Sequence, residues 1–148
     1  MIEFLEVKEN KEEYMPLLLI ADEQEDMVKK YLFRGRVFVL LDDGVKSICV
    51  VTDEGKGELE IKNIASYPNS QKKGYGKKLI EFIENKFKGE FSKIIVGTGK
   101  GTNTVNFYKK CGFKESFIVE NFFIDNYDHE IIENGVKLVD MQYLEKRI

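Results

Sequence analysis

A stretch that begins as a strand, passes through a glycine-bearing turn and continues as an amphipathic helix constrains this 148-residue chain more than any other part of it. Leu59, Ile61 and Ile64 predict a strand. Pro68, Asn69 and Ser70 predict a turn, and Gln71-Lys72-Lys73-Gly74-Tyr75-Gly76 leads into an apolar-periodic run. A chain that enters a helix from such a turn leaves several backbone N–H groups unpaired and aimed at one point, where the helix dipole also favours negative charge. Gly74 and Gly76 allow backbone angles and a close approach that a β-carbon would block. Lys72, Lys73, Lys77 and Lys78 add positive potential around the same turn. The expectation is an anion site. It is not a P-loop, whose GxxxxGK[ST] landmarks are missing, nor a GxGxxG turn, because Leu79 stands where the third glycine would be.

The flanking sequence builds outward from that unit. Ile2, Phe4, Leu5 and Val7 predict a first strand, and the spacing of Tyr14, Leu17, Leu18, Ala21, Met27, Val28, Tyr31 and Leu32 predicts one interrupted helix or two short ones. Pro16 falls within the first turns of that region or kinks it. Two β-branched runs, 37–41 and 45–52, flank Asp42-Asp43-Gly44 as a hairpin. After Gly76, residues 77–88 place Leu79, Ile80, Ile83 and Phe87 on one helical face. Lys93 to Val96 reads as a strand buried on both faces and parallel to the strand before the turn. Gly97-Thr98-Gly99-Lys100-Gly101-Thr102 reads as a flexible connection and not a second nucleotide site. A short helix around Val105, Phe107, Tyr108 and Cys111 follows, and two further strand-like runs, 113–123 and 136–144, are separated by a long acidic loop.

Composition narrows the function classes. The net charge of −3 and the absence of a broad basic face argue against a nucleic-acid partner, while the local cluster at 72–78 suits a small anionic ligand. No run of about 18 apolar residues occurs and the first residues lack a signal-peptide pattern, so neither a membrane association nor secretion is expected, and the expected location is the cytoplasm. Cys49, Cys111 and a single histidine form no disulfide framework and no zinc set, so no metal is expected. The length and the lack of linkers or repeats predict one domain spanning 1–148.

Asn63-Ile64-Ala65-Ser66 followed by Gln71-x-x-Gly74-x-Gly76, then KIIVGTG, then Asn106-Phe107-Tyr108-Lys109-Lys110-Cys111-Gly112-Phe113 resemble, in order and spacing, the signatures of the GNAT superfamily of acyl-CoA N-acyltransferases. The C-terminal Asn-Tyr and Asp-Met-x-Tyr-Leu resemble a bacterial subgroup of small GNAT enzymes. The resemblance implies an α/β (α+β) GNAT fold: a mixed, mostly antiparallel central sheet, a parallel pair splayed at the cofactor cleft, and helices on both faces. It implies acetyl-CoA as co-substrate, with the main chain of Ile64, Ala65 and Ser66 pairing with the pantetheine arm. Gln71, Lys72, Lys73, Gly74, Tyr75, Gly76 and Lys77 would surround the pyrophosphate. Two positions depart from the family: Ser66 stands where a β-branched apolar residue is usual, and Gly101 stands where an Asn often contacts the cofactor, with Asn103 or Asn106 as substitutes.

By the same resemblance the reaction is transfer of an acetyl group to a primary amine. An alkyl ammonium must lose a proton first, at a cost of about 4–5 kcal/mol at pH 7, so a base or a water chain is required. Glu60, six residues before Ser66, is the candidate base, against the plainer reading of a paired strand carboxylate. Tyr108 is the candidate acid for the leaving thiolate, against that of an aromatic core residue. His129 is a base by chemistry alone. Asp125, Asp128, Glu130 and Glu133 would attract a cationic acceptor if their loop reaches the cleft. The expected partner is a small-molecule amine. The alternatives are a protein or peptide amine, or a non-catalytic acyl-CoA sensor. An exposed edge strand would allow a homodimer.

Overall fold

The computed structural model describes residues 1–148. Strand β1 (Glu3–Val7) is followed by a 3₁₀ turn (Lys11–Tyr14) and helices α1 (Met15–Ala21) and α2 (Glu25–Leu32). Pro16 lies in the first turn of α1, where its missing N–H has no helical partner to lose. Strands β2 (Arg36–Leu41) and β3 (Val45–Asp53) form the predicted hairpin, and Asp43 and Gly44 both take positive φ at its turn. Strand β4 (Glu58–Ser66), helix α3 (Tyr75–Phe87) and strand β5 (Lys93–Gly99) make the central strand–turn–helix–strand unit. Helix α4 (Asn103–Lys110), strand β6 (Lys114–Val119), helix α5 (Phe122–Asn126), a small hairpin of β7 (Ile132–Glu133) and β8 (Val136–Lys137), and β9 (Met141–Arg147) complete the chain.

Seven strands form one sheet in the order β1-β2-β3-β4-β5-β9-β6. Only β4 and β5 are parallel neighbours. Alternation along β2 and β3 divides the core: Phe38, Leu40, Cys49 and Val51 pack with α3 and α4, and Val37, Val39, Ile48 and Val50 pack with α1 and α2. Helices therefore cover both faces. Leu79, Ile80, Ile83 and Phe87 anchor α3 on the sheet, all at most 1% exposed, so truncating Ile83 to Ala would cost about 2–5 kcal/mol.

Three predicted segments differ from the structure. Strand β5 is not buried on both faces: Ile94 and Val96 are buried, but Ile95 is only half-buried, because α1 and α2 cover β2 to β4 and stop short of β5. Gly97 to Gly99 are not a flexible connection but the end of β5, paired with Tyr143 to Met141 of β9. A β-carbon at Gly97 would meet Met141 and, at 3.0 Å, Tyr143; one at Gly99 would come 2.6 Å from Leu138. These glycines serve close packing. The tail runs also break earlier and later than predicted: β6 ends at Val119 and β9 begins at Met141. Between them Phe123, Ile131 and Leu138 gather into a separate small core.

Candidate acyl-transfer site

The parallel pairing of β4 and β5 runs from Glu58–Lys93 to Ile61–Val96 and then stops. Beyond Ile61 the strands part. Tyr67 N donates to Lys46 O, so by alternation Ala65 and Tyr67 turn their main-chain groups toward β3 while Ile64 and Ser66 turn theirs toward the opening. The Ser66 carbonyl accepts from Gln71 Nε2 at 3.1 Å, which leaves the Ser66 N–H and both main-chain groups of Ile64 open on that edge.

A bulge sits at the same point. Val50 pairs with Asn63 and the adjacent Val51 with Ile61, so Lys62 is the extra residue of β4. One inserted residue reverses the alternation. Leu59 and Ile61 face α3 before the bulge and Ile64 packs on that side after it, while Asn63 and Ala65 turn toward α1 and α2. Glu60, opposite in phase to Leu59 and Ile61, thus shares a face with Asn63.

At the N-terminus of α3, none of the amides from Lys72 to Lys77 donates to a backbone carbonyl; the first to do so is Lys78 N, to Gly74 O at 3.1 Å. Gly74 is the N-cap with φ of 82°, and no side chain caps the helix. A β-carbon at Gly74 would meet nothing, whereas one at Gly76 would lie 3.3 Å from the Phe107 ring. Gly74 therefore supplies a backbone conformation and Gly76 a close helix contact. The Tyr75 side chain is used elsewhere: its hydroxyl donates to Asp42 Oδ2 at 2.7 Å and fastens the helix to the β2–β3 turn. The side chains of Lys72, Lys73 and Lys77 are exposed around the free amides.

A cavity of about 220 Å³ occupies the splay. Tyr108 of α4 lines it, 6% exposed, and burial pushes its phenol well above the ordinary 10, so it stays protonated at neutral pH. Asn63, Thr98, Asp22 and Glu23 line it as well, and the tail covers it with Tyr127, Ile131 and Glu133. A neighbouring cavity of about 260 Å³ shares Asp22, Ile61, Lys62, Gly97 and Tyr127 with the first and is lined also by Glu60, Tyr31 and Tyr143. Glu60 is 6% exposed; its carboxylate accepts from Tyr143 Oη at 3.0 Å and pairs with Lys62 Nζ at 3.1 Å. Burial raises its pKa and Lys62 opposes the rise. Tyr108 and Glu60 thus line adjoining cavities.

The other candidates are dispersed. Asn106 is exposed on a shallow hollow with Lys100, Thr102 and Gln142, away from Tyr108. His129 is bound between Asp128 and Glu23 outside the splay. Of the four tail carboxylates only Glu133 reaches the Tyr108 cavity. The residues that sequence reasoning missed are Asp22, Asn63 and Tyr127. Asp22 had a legible signal, an acid at the break between two apolar-periodic helices; Asn63 lay within the motif but its direction depends on the bulge.

Similarity to known proteins agrees with this geometry. Residues 33–115 match the family described as acetyltransferase (GNAT) domain. The chain is 36% identical over 137 residues to the uncharacterized N-acetyltransferase YvbK of Bacillus subtilis (strain 168), covering 90% of this chain and 88% of that protein. A Bacillus subtilis acetyltransferase solved in complex with CoA superimposes with a TM-score of 0.89 at 34% identity over 100% of this chain and 99% of the other. A GNAT family acetyltransferase from Elizabethkingia anophelis with acetyl-CoA bound gives 0.93 at 30% identity over 99% and 98%. A splayed parallel pair, free amides at the helix that follows, and similarity over nearly the whole length lead to one conclusion: the chain belongs to the GNAT family of acetyltransferases.

Proposed function

We propose that residues 1–148 form one catalytic domain that transfers an acetyl group from acetyl-CoA to a primary amine of a small molecule. The observation that carries this reading is the run of amides from Lys72 to Lys77 with no backbone acceptor, on a turn whose Gly76 lies against Ile64, a residue of the Tyr108 cavity wall. Charge-assisted hydrogen bonds from such amides are worth about 1.5–3 kcal/mol each, against roughly 0.3–1 for the helix dipole, so the individual amide bonds and not the dipole would dominate the backbone's share of pyrophosphate binding. The free main-chain groups of Ile64 fit an amide-bearing arm laid along the open edge of β4.

Bound acetyl-CoA supplies a thioester: a C–N bond forms at its carbonyl carbon, the C–S bond breaks, and the sulfur leaves as a thiolate. Tyr108, protonated and inside the cavity, is the group to return a proton to that sulfur. Glu60, whose burial raises its pKa, is the group to receive the proton that the amine sheds, directly or through water across the shared wall of the two cavities. The cover formed by Tyr127, Ile131 and Glu133 favours a small acceptor over a protein segment. The test is thiol release from acetyl-CoA with a panel of primary amines. Release that depends on both the amine and Tyr108 supports the enzyme, and acetyl-CoA binding with no release from any amine supports a sensor.

A further inference from the structure

Asn63 carries the one buried side-chain polar atom in the protein without a hydrogen-bond partner. Its residue is 4% exposed and lines the Tyr108 cavity. The hydrogen bonds around it fix which atom is orphaned. Asn63 Nδ2 lies 3.0 Å from Leu18 O and 3.0 Å from Tyr31 Oη. A backbone carbonyl only accepts, so the amide nitrogen must face Leu18 and the amide oxygen must point the other way. Tyr31 cannot supply the missing proton, because its hydroxyl donates to Asp22 Oδ2 at 2.9 Å. Tyr127 Oη donates to the other oxygen of Asp22 at 2.7 Å, so the carboxylate is held at both ends.

Apart from the Tyr108 hydroxyl, the rest of the wall offers acceptors and few donors. Asp22, Glu23 and Glu133 are carboxylates, Lys62 Nζ is paired with Glu60, and the Thr98 and Thr104 hydroxyls bond to each other. A buried oxygen left without a donor costs about as much as a lost hydrogen bond and calls for a partner, an ordered water or a donor group of a ligand. A ligand rich in N–H groups meets this wall; an anion does not.

We infer that Asn63 Oδ1 receives an N–H of the incoming amine, and that the Leu18 carbonyl and the Tyr31–Asp22–Tyr127 chain aim it. This rests on the acetyl-transfer reading and names the side from which the acceptor enters, the α1–α2 face of the bulge, opposite Tyr108. The substrate class is a primary amine with an apolar body. The nitrogen lies at Asn63 within reach of the Asp22, Glu23 and Glu133 field, and the body lies against Ile20, Phe123 and Ile131. Asn63 is a binding residue for the acceptor; Asp22 and Tyr31 are positioning residues.

The experiment uses benzylamine, phenethylamine and hexylamine as acceptors. In Asn63→Ala the amine KM should rise about 10- to 100-fold, the loss of one hydrogen bond to a charged donor. The acetyl-CoA Kd and kcat should stay within about threefold, the pattern of lost ground-state binding. In Tyr31→Phe, which keeps the Leu18 contact, the KM should rise less. A second measurement needs no variant: the side-chain amide resonances of Asn63 in the wild type should shift saturably with benzylamine in the presence of CoA, and those of Asn106 should not. An unchanged amine KM in Asn63→Ala overturns the assignment. So does a loss of acetyl-CoA affinity at constant amine KM, which would give the oxygen to the cofactor, and so does an Asn63 amide that benzylamine leaves unmoved. A wild type that binds no acetyl-CoA is a different failure, that of the acetyl-transfer reading itself.

Discussion

The Tyr127 hydroxyl donates a 2.7 Å hydrogen bond to Asp22 Oδ1 across 105 positions of sequence. It joins the segment after α5 to the break between α1 and α2, over the wall that the two cavities share. Asp128 N donating to Gln24 Oε1 at 3.2 Å and His129 Nε2 lying 3.2 Å from Glu23 Oε1 repeat the connection one and two residues further on. The tail is therefore held down as a cover by polar links to a single loop.

Tyr127→Phe removes the innermost of these links without opening a cavity. The expected cost is about 1–3 kcal/mol, the range for a hydroxyl-to-carboxylate bond that is partly shielded from water. Hydrogen exchange should report faster opening of residues 122–133 with protection of α3 unchanged, and the KM for the amine should rise while acetyl-CoA affinity holds. Equal exchange rates in both proteins would mean that the apolar cluster of Phe123, Ile131 and Leu138 holds the cover alone.

His129 should make the attachment of the cover depend on pH. Its hydrogen bond to Asp128, then that to Glu23, raises its pKa above the ordinary 6.5. A group whose folded pKa is raised stabilises the folded state fully below the unfolded value and loses that contribution as pH rises through the folded value. Protection of residues 122–133 should therefore be greatest below pH 6.5 and fall above it, and His129→Gln should flatten the profile. A profile with the same slope in the variant would assign the titration to another group.

Tyr108→Phe separates an enzyme from a sensor. Removing a general acid should lower kcat by about 10²- to 10⁴-fold. The hydroxyl makes no hydrogen bond to the protein, so the fold and the acetyl-CoA Kd should change little. Retention of full turnover would place the proton source elsewhere, in water or in Glu60.

The strand–turn–helix unit was legible because its signals are local, glycines at 74 and 76 and a 3.6-residue apolar period in α3, and so was the β2–β3 hairpin, from the β-branched runs around Asp43-Gly44. The splay was legible only through the family resemblance. The direction of Asn63 was not legible at all, because Lys62 is an extra residue only with respect to β3, and a bulge defined by pairing leaves no mark on the strand that carries it. The tail was misjudged for a related reason. Phe123 and Leu138 read as residues of two strands and Ile131 as part of the acidic loop between them, but the three pack on one another and over the cavity, and the strand that fills the gap between β5 and β6 comes from the end of the chain.

The most direct test of the account is calorimetric titration of acetyl-CoA into the wild type and Gly74→Glu. At φ of 82° any side chain is strained, by roughly 1–2 kcal/mol for the left-handed conformation, and a carboxylate there adds repulsion to the pyrophosphate among the free amides. The expected result is binding with a Kd in the micromolar range for the wild type, loss of measurable binding in Gly74→Glu, and a smaller weakening in Lys73→Ala. Equal affinity in wild type and Gly74→Glu, or binding of neither acetyl-CoA nor CoA by the wild type, would contradict it, and the turn from Gln71 to Gly76 would then be an ordinary connection between a strand and a helix.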